Sequence, residues 1–177
     1  MKATGIVRRI DELGRIVIPK EMRKSLRIRE GDNLEIFITE EESIILKKHS
    51  QIKKIEDFAQ NLTDSAQATL KHSVLITDND TIIAASGPLK KECLNKPISE
   101  ELEFKIKRRE EILENHLKKL TLTQDGKELE VTYAISPIII NGDSSGLVLI
   151  IDTDKTIKDI DFLTAQVVSE FVKKNLE

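Results

Sequence analysis

Apolar and polar positions alternate at the start of the chain, where they predict a β-hairpin followed by a short helix. Residues 4–10 (TGIVRRI) and 15–18 (RIVI) are rich in β-branched side chains, and they flank a turn at residues 11–14 that ends in glycine. That combination is typical of a hairpin. Pro19 then fits the start of a helix, which we expect over residues 20–26.

A second hairpin is predicted before the pattern changes to helical spacing. Residues 34–39 (LEIFIT) and 43–48 (SIILKK) surround three consecutive glutamates. Over residues 52–69 the apolar side chains recur three and four positions apart, in a heptad-like seam. This seam fits a helix packed on its own domain as well as a contact between subunits, and both interpretations stay open. The change of pattern predicts two domains, residues 1–50 and 51–177.

The larger domain mixes strands with helices. Strand-like runs are predicted at residues 73–78, 81–86, 119–124, 127–140 and 146–152. A long charged helix is predicted after Ser99 from four apolar residues at helical spacing, Leu102, Ile106, Leu113 and Leu117. A last helix is predicted over about 156–176. The order of elements indicates an α+β fold, an antiparallel sheet with flanking helices.

Basic residues are concentrated at the N-terminal end. Residues 1–29 carry nine Lys or Arg and three acidic residues, a formal charge of +6, whereas the whole chain carries −3 and the remainder therefore −9. Charge that only keeps a surface soluble is normally mixed in sign, so this cluster indicates a head that binds a polyanion. Arg23 and Arg27 would share one face of the predicted helix. Aromatic residues do not alternate with the basic ones, which favours duplex DNA over stacked single strands.

The size of the first domain and the cysteine content bound its assembly and location. Domains below about 40–50 residues usually need a metal, a disulfide or oligomerisation, so we expect the first domain to form a homodimer. Cys93 is the single cysteine, which excludes an internal disulfide and predicts a buried or incidental thiol, rather than a reactive one, in a reducing cytoplasm. No run of the sequence approaches the ~20 apolar residues of a membrane helix.

Motifs for catalysis and metal binding are weak. Residues 142–146 (GDSSG) match G-x-S-x-G, but a nucleophile elbow leads into a helix and needs a later histidine, whereas this run joins two apolar strands. It predicts a turn. The three histidines, His49, His72 and His116, lack the spacing of metal ligands. Since the chain also lacks a phosphate loop and a nucleophile–base pair, we expect neither an enzyme nor a bound cofactor or metal.

The run TGIVRRIDELGRIVIPKEMRKSL, followed by EGDNLEIF and IILKK, resembles the N-terminal domain of the AbrB-type transition-state regulators. The resemblance implies a swapped-hairpin β-barrel formed by a dimer, in which basic side chains around the first hairpin and the helix contact double-stranded DNA. By position these are Arg8, Arg15, Arg23 and Lys24, and the candidate surface also includes Arg9 and Arg27. Lys24 replaces the Arg often found at its position, so it keeps the charge but lacks the bidentate fork.

The second domain resembles a GAF domain, a small-molecule-sensing module, in its order of elements and in segments such as HSVLITD. Asn95 and Lys96 match the start of the NKFDE signature of cyclic-nucleotide-binding GAF domains, but Arg108 and Arg109 stand where the signature requires Asp and Glu. We therefore expect no tight binding of cyclic nucleotides. Whether the domain responds to another small molecule or serves oligomerisation alone stays open, and its ligand-binding residues stay unassigned.

The whole chain resembles the stage V sporulation protein T family of endospore-forming bacteria. That resemblance implies a cytoplasmic, nucleoid-associated regulator of the forespore, which activates and represses sporulation and spore-germination genes. It also implies a homodimer through the head and a homotetramer through the GAF-like domain. The rival hypothesis is an antitoxin-like or assembly protein, whose basic head binds a protein partner instead of DNA.

Overall fold

The computed structural model describes residues 5–177, apart from the side chain of Lys53. The chain divides into two compact units, Met1–His49 and Ser50–Glu177, and each is described separately below. None of the helices within residues 5–177 combines the length and the apolar character that spanning a bilayer requires.

The first unit contains one helix and one hairpin. Helix α1 spans Lys20–Ser25, and strand β1 (Leu34–Ile38) pairs antiparallel with strand β2 (Ile44–Lys48). These elements confirm the predicted helix and the predicted second hairpin. The helix ends one residue earlier than expected, because Leu26 already serves as its C-cap.

The predicted first hairpin is only partly present. Its turn forms, with the backbone amide of Asp11 donating to the carbonyl of Arg15 at 3.0 Å. Its arms, residues 5–10 and 15–19, carry no strand in the part of the chain that the structure describes. A two-stranded ribbon is marginal in water unless one face is covered, and apolar side chains of these arms, such as Val7, lie exposed.

A single copy of the first unit has almost no interior. Pro19 is the only buried residue among residues 5–49. Large apolar side chains of the β1–β2 hairpin are exposed on both strands, namely Ile36, Phe37, Ile38, Ile44 and Leu46. Exposed apolar side chains in this number are typical of a surface that contacts another molecule.

The second unit begins with a short 3-10 helix, Ile52–Ile55, that leads into α2. Its helices are α2 (Glu56–Leu70), α3 (Lys90–Cys93), α4 (Glu100–Arg108) and α5 (Asp159–Lys174). Its strands are β3 (Ser73–Thr77), β4 (Ile82–Ser86), β5 (Ile112–Thr121), β6 (Glu128–Ile140) and β7 (Asp143–Asp152). The strands form one antiparallel sheet in the order β4-β3-β7-β6-β5, as expected for an α+β fold.

Helices cover both faces of this sheet, because its central strands are apolar on both sides. One core packs α2 and α5 on the sheet, with Val148 and Ile150 of β7 at its centre. The other core packs α3 and α4 on the opposite face, around Leu147 and Leu149 of the same strand. Alternate residues of β7 therefore enter opposite cores, and the single cysteine, Cys93, is buried in the second of these.

The prediction of a long charged helix after Ser99 is wrong for the second half of that helix. Ser99 caps α4 by accepting a hydrogen bond from the Leu102 amide, but the helix ends at Arg108, and the C-cap Arg109 has a left-handed φ of 55°. Leu113 and Leu117 lie on β5 instead. The pairing of β5 with β6 shifts register between residues 114 and 118, and this bulge breaks the alternation that would identify a strand.

Candidate nucleic-acid interface

One carboxylate holds the turn at residues 11–14. Asp11 Oδ1 accepts hydrogen bonds from the backbone amides of Leu13, at 3.0 Å, and of Arg15, at 2.8 Å. Asp at the first position of a turn commonly makes such bonds. Gly14 has a φ of 74°, a left-handed conformation that glycine adopts without strain. The backbone that leads into Arg15 is therefore fixed by local sequence.

The side chain of Arg15 is oriented by the same aspartate. Its Nε donates to Asp11 Oδ2 at 2.7 Å, while the side chain remains 72% exposed. The backbone and side-chain hydrogen bonds from Arg15 outweigh the effect of burial and hold the pKa of Asp11 below its ordinary value of 3.8. At neutral pH the turn consequently presents a guanidinium whose direction is set by a charged partner.

Helix α1 presents two adjacent basic side chains. Pro19 lies one position before the helix as its N-cap, with a φ of −56° and a ψ of 148°. Arg23 and Lys24 occupy the last turn, where cations interact favourably with the helix dipole, and both are exposed. The helix is therefore a short support that holds two cations side by side.

Arg27 does not share a helical face with Arg23, contrary to the expectation from spacing. The amide of Ile28 donates to the carbonyl of Arg23 at 2.8 Å, and Arg27 takes a left-handed φ of 53°, so the helix has closed before this residue. Arg27 is half-buried, and its carbonyl accepts a hydrogen bond from Lys48 Nζ at 3.1 Å. Its backbone thus ties the segment after the helix to β2.

A largely buried ion pair between Asp32 and Lys48 supports that segment. Asp32 Oδ2 accepts from the Arg29 amide at 2.7 Å and lies 3.0 Å from Lys48 Nζ, with both charged side chains more than four-fifths buried. The supporting roles of Asp11 and Asp32 were not predicted from the sequence. The signal for Asp11 was its position four residues before Arg15. The signal for Asp32 was the pairing of Lys48, at the end of β2, with Leu34, which lies two residues after Asp32.

The six predicted DNA-binding residues fall into four groups. Arg15 lies on the fixed turn, and Arg23 and Lys24 lie together on α1. Arg8 and Arg9 are exposed on the arm before the turn, which has no regular structure. Arg27 is separate, because it is half-buried beyond the helix. An exposed arm, an ordered turn and a helix end together suit contacts with phosphates and base edges of a duplex.

The second unit uses its two consecutive arginines for internal contacts. The Arg108 guanidinium lies 4.7 Å from the centre of the Phe104 ring, and Arg109 Nη2 donates to the Gly142 carbonyl at 2.6 Å. These side chains thus pack on the protein where a cyclic-nucleotide signature would place two carboxylates. Within residues 5–177 no group of three or more His, Cys, Asp or Glu side chains is arranged to hold a metal ion.

Comparison with known families divides the chain in the same region as the fold. Residues 54–177 match the family model described as stage V sporulation protein T C-terminal, transcription factor. Residues 7–54 match the model described as antidote-toxin recognition MazE, bacterial antitoxin.

Two relatives in Bacillus subtilis (strain 168) extend this result. The chain is 46% identical to stage V sporulation protein T over 177 residues, which is 100% of this chain and 99% of the relative. It is 61% identical to the transition state regulatory protein AbrB over 49 residues, which is 28% of this chain and 50% of that protein.

Solved structures identify the fold of the second unit. The cofactor-binding GAF domain of the nutrient sensor CodY from Clostridium difficile superposes with a TM-score of 0.51 at 12% identity, covering 67% of this chain and 83% of that one. The GAF domain of the Acinetobacter phosphoenolpyruvate-protein phosphotransferase gives a TM-score of 0.55 at 9% identity, covering 71% and 87%. At these identities the likeness shows the fold alone, and that fold is the GAF fold.

Proposed function

Because the chain belongs to the stage V sporulation protein T family, we propose that it is a DNA-binding transcriptional regulator of sporulation and spore-germination genes, acting as activator or repressor according to the site. The observation that supports the proposal most directly is the exposed basic turn and helix end of the first unit, in a chain that is 61% identical to AbrB over 49 residues. A gel mobility-shift assay with sporulation promoter fragments tests the proposal. A band that excess unrelated duplex fails to remove is the expected result.

We propose that the DNA contacts come from Arg8, Arg9, Arg15, Arg23, Lys24 and Arg27. The planar guanidinium of Arg15 or Arg23 can make a bidentate contact with a guanine edge, whereas Lys24 acts as a point charge on phosphate. Arg27 is half-buried, so its contribution is a phosphate contact made alongside its structural role.

We propose that the head acts as a homodimer. One copy buries only Pro19 among residues 5–49 and leaves apolar side chains of both hairpin regions exposed, so a second copy supplies the missing core. Arms that lack a strand in one chain would then pair with those of its partner. Two-fold symmetry also predicts DNA sites made of two related half-sites.

We propose that the second units pair through α5 and so complete a homotetramer. Four of its apolar side chains form one stripe and are each more than half exposed, namely Ile160, Leu163, Val167 and Phe171. A shallow groove of about 330 Å³ runs along this stripe. Val167→Asp is expected to reduce the full-length protein to a dimer in light scattering. Asn175→Asp, which places the same charge at the exposed end of α5, is expected to leave the tetramer intact.

We also propose that the GAF-fold unit receives a small-molecule effector other than a cyclic nucleotide. The CodY domain of the same fold binds a cofactor, while Arg108 and Arg109 here remove the acidic pair of the cyclic-nucleotide signature. Isothermal calorimetry is expected to show no binding of cyclic AMP or cyclic GMP. Micromolar binding of either nucleotide would overturn the assignment.

The second candidate function is binding of a protein partner by the head. The match of residues 7–54 to a family model named for toxin recognition favours it. A head that binds only protein would leave duplex DNA unshifted at physiological salt, whatever the promoter. The mobility-shift assay therefore separates the two candidates directly.

A further inference from the structure

We propose that Asp11 is a positioning residue for DNA recognition, which aims the Arg15 guanidinium and so sets sequence preference at the cost of overall affinity. This inference rests on the proposed function, because it takes Arg15 to be a DNA contact. The motivating observation is that the Asp11 carboxylate accepts three hydrogen bonds in the turn, two of them from Arg15.

The bond geometry leaves the recognition edge of the arginine available. A guanidinium has five N–H donors in a planar fork, and Asp11 Oδ2 occupies the one on Nε, at 2.7 Å. The four donors on the two terminal nitrogens lie at the far end of the side chain. A bidentate contact with guanine O6 and N7 uses such a pair, and a guanidinium already fixed in direction loses less freedom when it binds.

The charge of Asp11 opposes this benefit. DNA affinity that does not depend on sequence comes from neutralising phosphates, and the Asp11 carboxylate repels them from within residues 1–29, which carry a formal charge of +6. Hydrogen bonds from Arg15 lower the pKa of Asp11, so the carboxylate stays charged at neutral pH. If Asp11 only stabilised the turn, replacing it would lower affinity for every duplex. If Asp11 positions Arg15, replacing it should lower discrimination between duplexes and raise non-specific affinity.

Asp11→Asn separates these roles in the full-length protein. The asparagine oxygen can still accept from the Leu13 and Arg15 amides, but an NH₂ group replaces the oxygen that holds Arg15 Nε. Glu12→Gln is the matched control, because it removes the same charge from an exposed residue of the same turn. Fluorescence anisotropy would measure the affinity of each variant for two duplexes. One is selected from a random pool by the wild-type protein, and the other has the same bases in scrambled order.

The ratio of the two affinities is the decisive readout. Asp11→Asn is expected to lower the ratio about fivefold or more, the effect of a weakened bidentate base contact, while affinity for the scrambled duplex rises. Glu12→Gln is expected to keep the ratio. Arg15→Ala is expected to lower it as well, and Asp11→Asn should lower it no further in the Arg15→Ala background.

Two further measurements keep the outcome unambiguous. In wild-type protein the Arg15 Nε–H resonance should differ from that of free arginine, and it should move to the free position in Asp11→Asn while the Leu13 amide resonance stays in place. Arg15→Lys keeps the charge and leaves Asp11 untouched but removes the fork, so it should lose discrimination with little change in scrambled-duplex binding.

The failures can be told apart. If Arg15→Ala lowers the ratio but Asp11→Asn keeps it, the positioning role is wrong and the DNA-binding surface stands. If Arg15→Ala leaves both affinities unchanged, the assignment of Arg15 to DNA is wrong, and the role of Asp11 falls with it. Equal loss of affinity for both duplexes in Asp11→Asn would show a residue that only supports the turn.

Discussion

Asp152→Asn should destabilise the second unit, because the Asp152 carboxylate at the end of β7 contacts both His72, just before β3, and the loop that leads to α5. Buried His72, just before β3, places Nδ1 2.7 Å from Asp152 Oδ2 at the end of β7 and Nε2 3.6 Å from Asp161 Oδ1 in α5. Asp152 Oδ1 also accepts from the amides of Asp154 and Lys155, at 2.8 and 2.7 Å. The carboxylate thus fastens the strand ends to the loop that enters α5.

The magnitude follows from the bonds that the substitution changes. Asparagine can keep an acceptor for the two amides but loses the charged oxygen that faces His72. A hydrogen bond to a charged group contributes about 1.5–3 kcal/mol, so the free energy of unfolding at pH 7 should fall by about that amount. Tyr133 is the single tyrosine in a chain without tryptophan, and it is buried in the second unit, so its fluorescence in a denaturant titration reports on this unit.

The effect should depend on pH in a defined direction. Burial raises the pKa of Asp152, but hydrogen bonds from His72 and from the amides of Asp154 and Lys155 outweigh it, and the net pKa lies below 3.8. Because the folded pKa is depressed, the stabilisation is present above pH 3.8 and is lost as the pH falls through the folded value. The difference in free energy of unfolding between wild type and Asp152→Asn should therefore disappear in strong acid.

The control is Asp125→Asn, which removes the same charge from an exposed turn between β5 and β6. This control is expected to change the free energy of unfolding by less than about 0.5 kcal/mol. A wild-type denaturation midpoint for Asp152→Asn at pH 7 would refute the reasoning. A stability difference that widens below pH 3.8 would refute it as well.

Two further predictions concern packing. A Cβ at Gly146 would lie 1.9 Å from the Thr77 carbonyl oxygen, so Gly146→Ala should cost about 3 kcal/mol or more in denaturant titrations, whereas Gly142→Asn, at an open turn position, should cost less than about 1 kcal/mol. Burial raises the pKa of the Cys93 thiol to about 11, so a thiol reagent at pH 8 should react about a hundredfold more slowly with folded than with urea-unfolded protein. Equal rates would show that Cys93 is accessible.

Local patterns were sufficient where each element is determined by its own residues. The alternation around β1 and β2 predicted that hairpin. A turn predicted at residues 142–146 does join β6 to β7, but it consists of Asn141 and Gly142, both with positive φ, because β7 already begins at Asp143. Net charge located the basic head, because it is a property of composition and needs no coordinates. The family resemblance rested on specific segments such as TGIVRRIDELGRIVIPKEMRKSL, and the comparisons confirmed it.

Features that depend on distant contacts were not predictable in the same way. Leu113 and Leu117 have helical spacing, yet pairing with β6 places them on a bulged strand. The His72–Asp152 contact joins residues 80 positions apart, and only the sheet register brings them together. Arg27 does not lie on the predicted helical face with Arg23, because α1 ends at Ser25 with Leu26 as its C-cap, and Arg27 has a left-handed φ. In each case tertiary structure overrode a local period.

The salt dependence of DNA binding tests the central claim most directly. The proposed dimer would present eight cations, from Arg8, Arg15, Arg23 and Lys24 of each subunit. Each phosphate neutralised contributes roughly −0.9 to the slope of log affinity against log salt concentration. Lys24→Ala, which removes one cation per subunit, should weaken binding to every duplex and flatten the slope by about two units. Lys173→Ala in α5 should leave affinity and slope unchanged. If alanine variants at all four head positions stay folded and dimeric yet keep wild-type affinity and slope, this surface does not bind DNA.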